Sequence, residues 1–215
     1  MTEKEIEAAF AQAVESYRAM PKGIRASTAI EALSQKKVIP VDLTNEADRD
    51  LISRLEDAAQ RCMAGLIANP LICGRVNEVG NLFEPRTSAA CVEAGLKVEP
   101  IGGPSGYPDL LVRDPQGRPT YIEVKAVGVG KEDSSFRSFY LSPSERPKVR
   151  YDARHILFAF VHEPVRNSEG IAGYCAKAFK LMDISRLLGS VKFEYQSNNR
   201  QMYGGELLAS GKLIL

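Results

Sequence analysis

Two short stretches of this 215-residue sequence carry side chains whose types and spacing could do chemistry: Tyr107-Pro108-Asp109-Leu110-Leu111-Val112 and Tyr121-Ile122-Glu123-Val124-Lys125. Both read as strands. Asp114-Pro115-Gln116-Gly117 between them has turn chemistry, with Asp and Pro to start it and Gly to close it. Successive side chains of a strand point to opposite faces, so Glu123 and Lys125 share one face while Ile122 and Val124 share the other. A hairpin of this length sets Asp109, at the start of one strand, near the middle of its partner. Two carboxylates and a lysine at one sheet edge could hold a divalent metal beside a water and a phosphate. Hard oxygen ligands of this kind suit magnesium, which keeps several waters and leans on substrate phosphates to fill its shell. The chemistry so implied is metal-dependent cleavage of a phosphodiester.

Chance has to be weighed first. With 27 acidic residues and 12 lysines in the chain, an acid-x-Lys triplet is expected about 1.5 times at random, so the triplet alone decides little. The chain holds one such triplet and one Pro-Asp, and the two acids lie 14 residues apart on two expected strands joined by a turn. That coincidence favours a site over a surface hairpin with a solvated Glu and Lys.

At these residues the chain resembles the PD-(D/E)XK nuclease superfamily, and within it the type II restriction endonucleases most. The motif resemblance runs from about Asn77 to Lys125, with looser similarity to about Tyr203. It implies that Asp109 and Glu123 are metal ligands, that Val124 between Glu123 and Lys125 joins the metal set, and that Lys125 orients or activates the attacking water. An ammonium is favoured by two neighbouring carboxylates, so Lys125 is expected to position and stabilise charge rather than serve as a free base. Members of the family often add an acid from a helix before the first core strand. Glu78 and Glu84 both qualify, and Glu78 is preferred because Pro85 should break or restart the helix just after Glu84. The resemblance further implies a magnesium cofactor, double-stranded DNA as substrate and a homodimer.

Composition fits a globular enzyme of the cytoplasm. A content of 44% hydrophobic and 26% charged residues is ordinary, no apolar run approaches the roughly 18 residues of a membrane span, and the N-terminus is polar and acidic, unlike a signal peptide. Cys62, Cys73, Cys91 and Cys175 form no Cys-x-x-Cys pair and have apolar neighbours, the pattern of reduced buried thiols, which argues against zinc. A net charge of +1 is a weak signature for nucleic-acid binding, but its distribution is uneven: −3 over residues 1–60 and +4 over the remainder. Arg137, Arg146, Lys148, Arg150 and Arg154 form a basic stripe against only Glu145 and Asp152. Arg137, Lys148, Arg150 and Arg154 are the expected phosphate contacts. The polar cluster Gln196-Ser197-Asn198-Asn199-Arg200-Gln201 offers Asn198, Asn199 and Gln201 as base readers, because such side chains match adenine and guanine edges in the major groove.

The elements that must position these groups can be read in outline. Thr2 to Met20 reads as a helix, with Thr2 and Glu5 as a capping box and Ile6, Phe10, Ala13 and Tyr17 as an apolar stripe. Residues 24–43 give little signal. Thr44 is the expected cap of a long helix to about Ala68, with Leu51, Ile52, Leu55, Cys62, Met63 and Leu66 facing a core. Further helical segments are expected from about Leu71 to Phe83 and from Arg86 to Ala94, with Gly95 as the stop. From Lys97 the period turns to strands: Leu96 to Pro100, the hairpin at Asp109 to Arg113 and Thr120 to Val127, Phe136 to Leu141, the apolar run His155 to Val161, Tyr174 to Asp183 and Val191 to Tyr195, with a helical turn at Ser185 to Leu188. The fold class so expected is α/β, a central mixed β-sheet flanked by helices with a helical N-terminal region. No repeat or linker divides it, so residues 1–215 are read as one domain: a helical part over 1–95 and a catalytic sheet over 96–215.

Other motifs lead nowhere. Gly128-Val129-Gly130-Lys131 imitates the end of a P-loop, but Lys125 stands at the first glycine position and Glu132 replaces the required Ser or Thr. His155 and His162 bracket an apolar strand and read as structural. No Gly-x-Ser-x-Gly elbow exists for acyl transfer. The expectation is therefore a magnesium-dependent type II restriction endonuclease, cutting duplex DNA at a short site as a homodimer. A structure-selective repair or junction nuclease is the first alternative. A non-catalytic nucleic-acid or protein-binding module on the same fold is the second.

Overall fold

The change of period near residue 97 marks the start of a five-stranded mixed sheet in the computed structural model of the protein, which describes residues 1–21, 23–73, 78–102, 106–131, 139–141, 146–166, 170 and 172–192. The chain separates into two compact units, Ile24–Gly189 and the pair of terminal segments Met1–Gly23 with Ser190–Leu215.

The larger unit is built on strands β2 (Lys97–Glu99), β3 (Leu110–Arg113), β4 (Pro119–Gly128), β5 (Arg154–Arg166) and β6 (Ala172–Asp183), side by side in chain order. All neighbours are antiparallel except β4 and β5, which run parallel from Thr120 beside Arg154 to Gly128 beside His162. A register shift between Val161 and His162 bends β5 against β6. A separate two-stranded ribbon pairs β1 (Ile24–Arg25) with β7 (Leu188–Gly189).

Both faces of the sheet are covered in part by helices. Helices α3 (Glu46–Ala68) and α4 (Val79–Glu93) pack on one face, where Leu51, Leu55, Ala58, Cys62 and Phe83 meet Ile122, Val124, Phe158 and Phe160 in the main core. Phe83 stacks on Phe160, with centroids 4.7 Å apart. On the other face Ile30 of α2 (Ala26–Ser34) joins Tyr107, Leu111, Tyr121, Val149, Ala153 and Ile184 in a smaller cluster. The alternation of β4 thus sends Ile122 and Val124 into one core and Tyr121 into the other.

Several elements differ from the sequence reading, each for a local reason. Asn45, not Thr44, caps α3, its side chain accepting from the N–H groups of Ala47 and Asp48, while the Thr44 hydroxyl donates to Asp42. Leu71 is not helical: it exchanges hydrogen bonds with Tyr174 in an isolated bridge. Pro85 does not end a helix but lies inside α4. The bond it cannot make would run to Asn81, and both residues are exposed, so water can serve that carbonyl while buried Phe83 and Thr87 hold the helix to the core. Residues 24–43, which gave little signal, hold β1 and α2. Phe139–Leu141 form no strand, nor do Val191 and Lys192, and the rest of those two expected strands lies outside the described residues.

In the smaller unit, α1 (Glu3–Arg18) carries the expected capping box, with Thr2 N donating to Glu5 Oε2 at 2.7 Å and Glu5 N to Thr2 Oγ1 at 3.4 Å. The apolar stripe is present but none of its residues is buried. Tyr17 donates to the carbonyl of Val191 at 2.9 Å.

Candidate active site

The β3–β4 hairpin is fixed first at its turn. Gly117 N donates to Asp114 O at 2.8 Å, and Gly117 takes a φ of +80°, a conformation that glycine adopts without steric cost. Asp114 is buried and accepts from both the backbone N (2.9 Å) and the Nε (2.6 Å) of Arg118. The same guanidinium reaches α3, at 2.7 Å from Asp48 Oδ1 and 2.6 Å from Ala47 O. Arg154 of β5 also pairs with Asp48 Oδ1 at 2.7 Å. Burial pushes the Asp48 carboxyl up, but hydrogen bonds from Arg154, the Asp42 backbone and Arg118 outweigh it and hold the group below its usual value.

At the opposite end of the hairpin the expected acids come together. The antiparallel register pairs Leu110 with Ile122, and one step further places Asp109 opposite Glu123. Asp109 N donates to Ile122 O at 3.0 Å, and Asp109 Oδ2 accepts from Val124 N at 2.8 Å. Lys125 Nζ donates to Glu123 Oε1. The second oxygen of Glu123 is buried and has no hydrogen-bond partner, in a residue only 3% exposed. Burial raises the Glu123 pKa to about 7, with Asp109 and Glu84 adding to the rise and Lys125 opposing it. Asp109, Glu123 and Lys125 therefore share one locus.

The helix acid beside them is Glu84. Its carboxyl is raised by burial and then by Asp109, while Lys125 and Lys148 favour its charged form. Glu78 stands exposed at the N-terminal end of α4, six residues earlier. Tolerance of Pro85 inside the helix is what the sequence reading lacked. With the helix continuous, Glu84 is the acid that faces the hairpin.

The side chain of Val124 points into the main core, so only its backbone can face the acids. Its N–H is directed at Asp109, and the N–H and C=O of a strand residue lie on the same side, so its carbonyl also points past the end of β3. Three carboxyls and one such carbonyl are hard oxygen donors. A buried carboxylate oxygen with no partner, among like charges, is stabilised by a cation, and this donor set fits magnesium. Among the described residues no three His, Cys, Asp or Glu side chains are gathered closely enough to cage an ion unaided, so waters and substrate oxygens would complete the shell.

Around this locus lie aromatic groups whose contacts the sequence did not show. Phe139 packs over Lys125, with Nζ 5.8 Å from the ring centroid, and meets Tyr107 edge-on at 5.8 Å. Behind, Tyr107 and His155 share a buried hydrogen bond through His155 Nδ1, and burial lowers the histidine to about 4. His155 is thus a neutral core residue, as its apolar surroundings suggested. The buried thiols of Cys62 and Cys91 are pushed up to about 11 and about 12 by burial, and no described cysteine is disulfide-bonded.

A family model covers most of these elements: that of the type II restriction enzyme MjaV family matches residues 20–206. The chain belongs to that family. The type II restriction enzyme MjaV of Methanocaldococcus jannaschii is 32% identical over 202 residues, covering 85% of this chain and 86% of the relative. In this MjaV-family chain the match takes in Glu84, Asp109, Glu123, Lys125 and Lys148.

The basic stripe is only partly turned outward. Arg150 is exposed, with its backbone N donating to Tyr121 at 2.7 Å. The Arg154 side chain, expected as a phosphate contact, is 12% exposed and paired with buried Asp48. Lys148 turns inward, donating to the carbonyls of Gly106 and Pro108. Arg137, Asn198, Asn199 and Gln201 lie outside the described residues. No described helix is long and apolar enough to cross a membrane.

Proposed function

We propose that this chain is a magnesium-dependent endonuclease that hydrolyses both strands of duplex DNA at a short specific site, acting as a homodimer. The observation that carries the reading is the placing of Asp109 opposite Glu123 at one end of the hairpin, with Lys125 bonded to Glu123, Glu84 electrostatically coupled to them, and one buried carboxylate oxygen left without a partner. Membership of a type II restriction enzyme family supports it.

Asp109 and Glu123 would hold the ion, with the Val124 carbonyl beside them and Glu84 on the helix side. When bound, a divalent ion neutralises phosphate charge and lowers the pKa of water. The other roles fall to the chain. Asp109, anchored by the Val124 N–H, is preset rather than free to rotate. Lys125 is held over Glu123 and under Phe139, where its ammonium orients the attacking water and meets charge growing on the phosphate oxygens. Arg150 is a proposed phosphate contact. Arg137, Asn198, Asn199 and Gln201 remain the sequence's proposals for contacts to backbone and bases.

Incubation with phage DNA tests the reading. With magnesium, discrete fragments are expected, and with calcium, binding without turnover. Lys125→Ala should fold and bind DNA yet lose cleavage by about three orders of magnitude, in line with the removal of a charge-stabilising donor. In the same assay Glu84→Ala should cost more activity than Glu78→Ala. Sparing of linear duplex with cutting of branched DNA would favour a structure-selective nuclease instead. Full activity of Lys125→Ala would sink the role given to that lysine.

A further inference from the structure

The turn that delivers Asp109 is braced by a lysine from outside the hairpin. Lys148 is half-buried, and its Nζ donates to the carbonyl of Gly106 and, at 3.1 Å, to that of Pro108. It therefore spans the segment immediately before Asp109. An ammonium has three N–H donors, and two of these are taken up by backbone carbonyls, which makes Lys148 a brace more than a free charge. From the other side the same turn is pinned by Phe139–Leu141. Tyr107 N donates to Tyr140 O at 3.1 Å, and a Cβ at Gly106, whose φ is +117°, would come within 2.6 Å of that carbonyl oxygen. The turn is thus gripped between Tyr140 and Lys148, with Asp109 next in the chain.

We propose that Lys148 is a positioning residue: it fixes the Gly106–Pro108 turn and so aims the Asp109 carboxylate at the ion-binding position. The inference rests on the nuclease reading of the site, but it differs from the phosphate contact that the basic stripe suggests for this lysine. A phosphate contact acts on DNA affinity and its salt dependence. A brace behind a metal ligand acts on the metal, where loss of such a supporting partner typically costs 10- to 100-fold in affinity.

Titration calorimetry with manganese, on the full chain without DNA, separates the two. Lys148→Met is expected to weaken manganese binding about tenfold or more. Its cleavage should recover toward wild type as magnesium is raised, with an unchanged KM for DNA. Gly106→Ala disturbs the same turn from the Tyr140 side and should produce the same metal phenotype, which keeps the question open to decision if Lys148→Met does not fold. Ile30→Ala, in the same apolar cluster as Tyr107, should lower the Tm and leave manganese affinity alone. Wild-type manganese affinity in either turn variant overturns the assignment. So does a loss confined to DNA affinity with a shallower salt slope. If the unaltered protein takes up no divalent ion, the nuclease reading itself falls; uptake by wild type and variants alike removes Lys148 only.

Discussion

Glu123 holds a carboxylate where water is nearly absent and two other acids are close, and that conflict has a measurable sign. Its pKa is raised from 4.5 to about 7 in the folded, metal-free protein. Between those values the folded state keeps a proton that the unfolded chain releases. The stability this group contributes is therefore full below about pH 4.5 and is lost as pH rises through about 7. At about 1.4 kcal/mol per pH unit the loss has a ceiling near 3 kcal/mol. Glu123→Gln cannot ionise, so in a chelator it should unfold at higher urea than wild type at pH 8 and at nearly equal urea at pH 4.5. His155 works the other way: lowered to about 4, it supplies stability above its ordinary 6.5 that is lost as pH falls toward 4. That contribution is common to both proteins and cancels in the difference. Magnesium should then stabilise wild type at pH 8 and not the variant. An equal gap between the two proteins at both pH values would show that burial of charge at Glu123 is not the cause.

The hairpin is the element that turns these residues into a site, and it is anchored at both ends. At the turn, Asp48 takes the guanidinium groups of Arg118 and Arg154, tying α3, the hairpin and β5 through one fully buried carboxylate. Removing one partner of a buried ion network leaves the others uncompensated, at a typical cost of about 3–5 kcal/mol. Asp48→Ala should therefore lower the unfolding free energy by that order in urea melts, although it touches none of the proposed ligands. A change under about 1 kcal/mol would mean that water already screens the cluster. This anchor was not legible in the sequence, since an ion pair between residues 48, 118 and 154 leaves no local pattern, and Arg154 looked like part of a surface stripe. The hairpin was legible because strand period, turn residues and the placement of Asp109, Glu123 and Lys125 are all local. Glu84 stood second to Glu78 in the sequence because Pro85 lacks a donor, but the lost bond falls on the exposed side of α4. Helix α2 was hidden because it is only nine residues long and its N-cap, Arg25, makes no side-chain capping bond; its buried Ile30 packs against distant Val149 and Ile184.

At the scale of the whole molecule the question is how the proposed endonuclease, with one locus per chain, would cut two strands. The strands of a duplex are antiparallel, so equivalent attack on both is satisfied by two copies of the site related by a two-fold axis. The chain's charge fits that arrangement better than it fits a monomer. A net +1 gives little long-range attraction for DNA, but the excess of +4 outside residues 1–60 is doubled when two copies present it to one duplex. Sedimentation should then report about 47 kDa, twice the 23.6 kDa of the chain. The product pattern is an independent readout. On a supercoiled plasmid with a single site, a dimer that cuts both strands in one encounter yields linear DNA directly, whereas a monomer must release and rebind, and nicked circles accumulate first. Near-complete nicking before any linear product, from a species of 23.6 kDa, would rule out the paired arrangement while leaving the chemistry at Asp109 and Glu123 intact. Mixing wild type with an excess of Lys125→Ala sharpens the test: a dimer converts to a nicking enzyme in proportion to the mixed species, and a monomer does not.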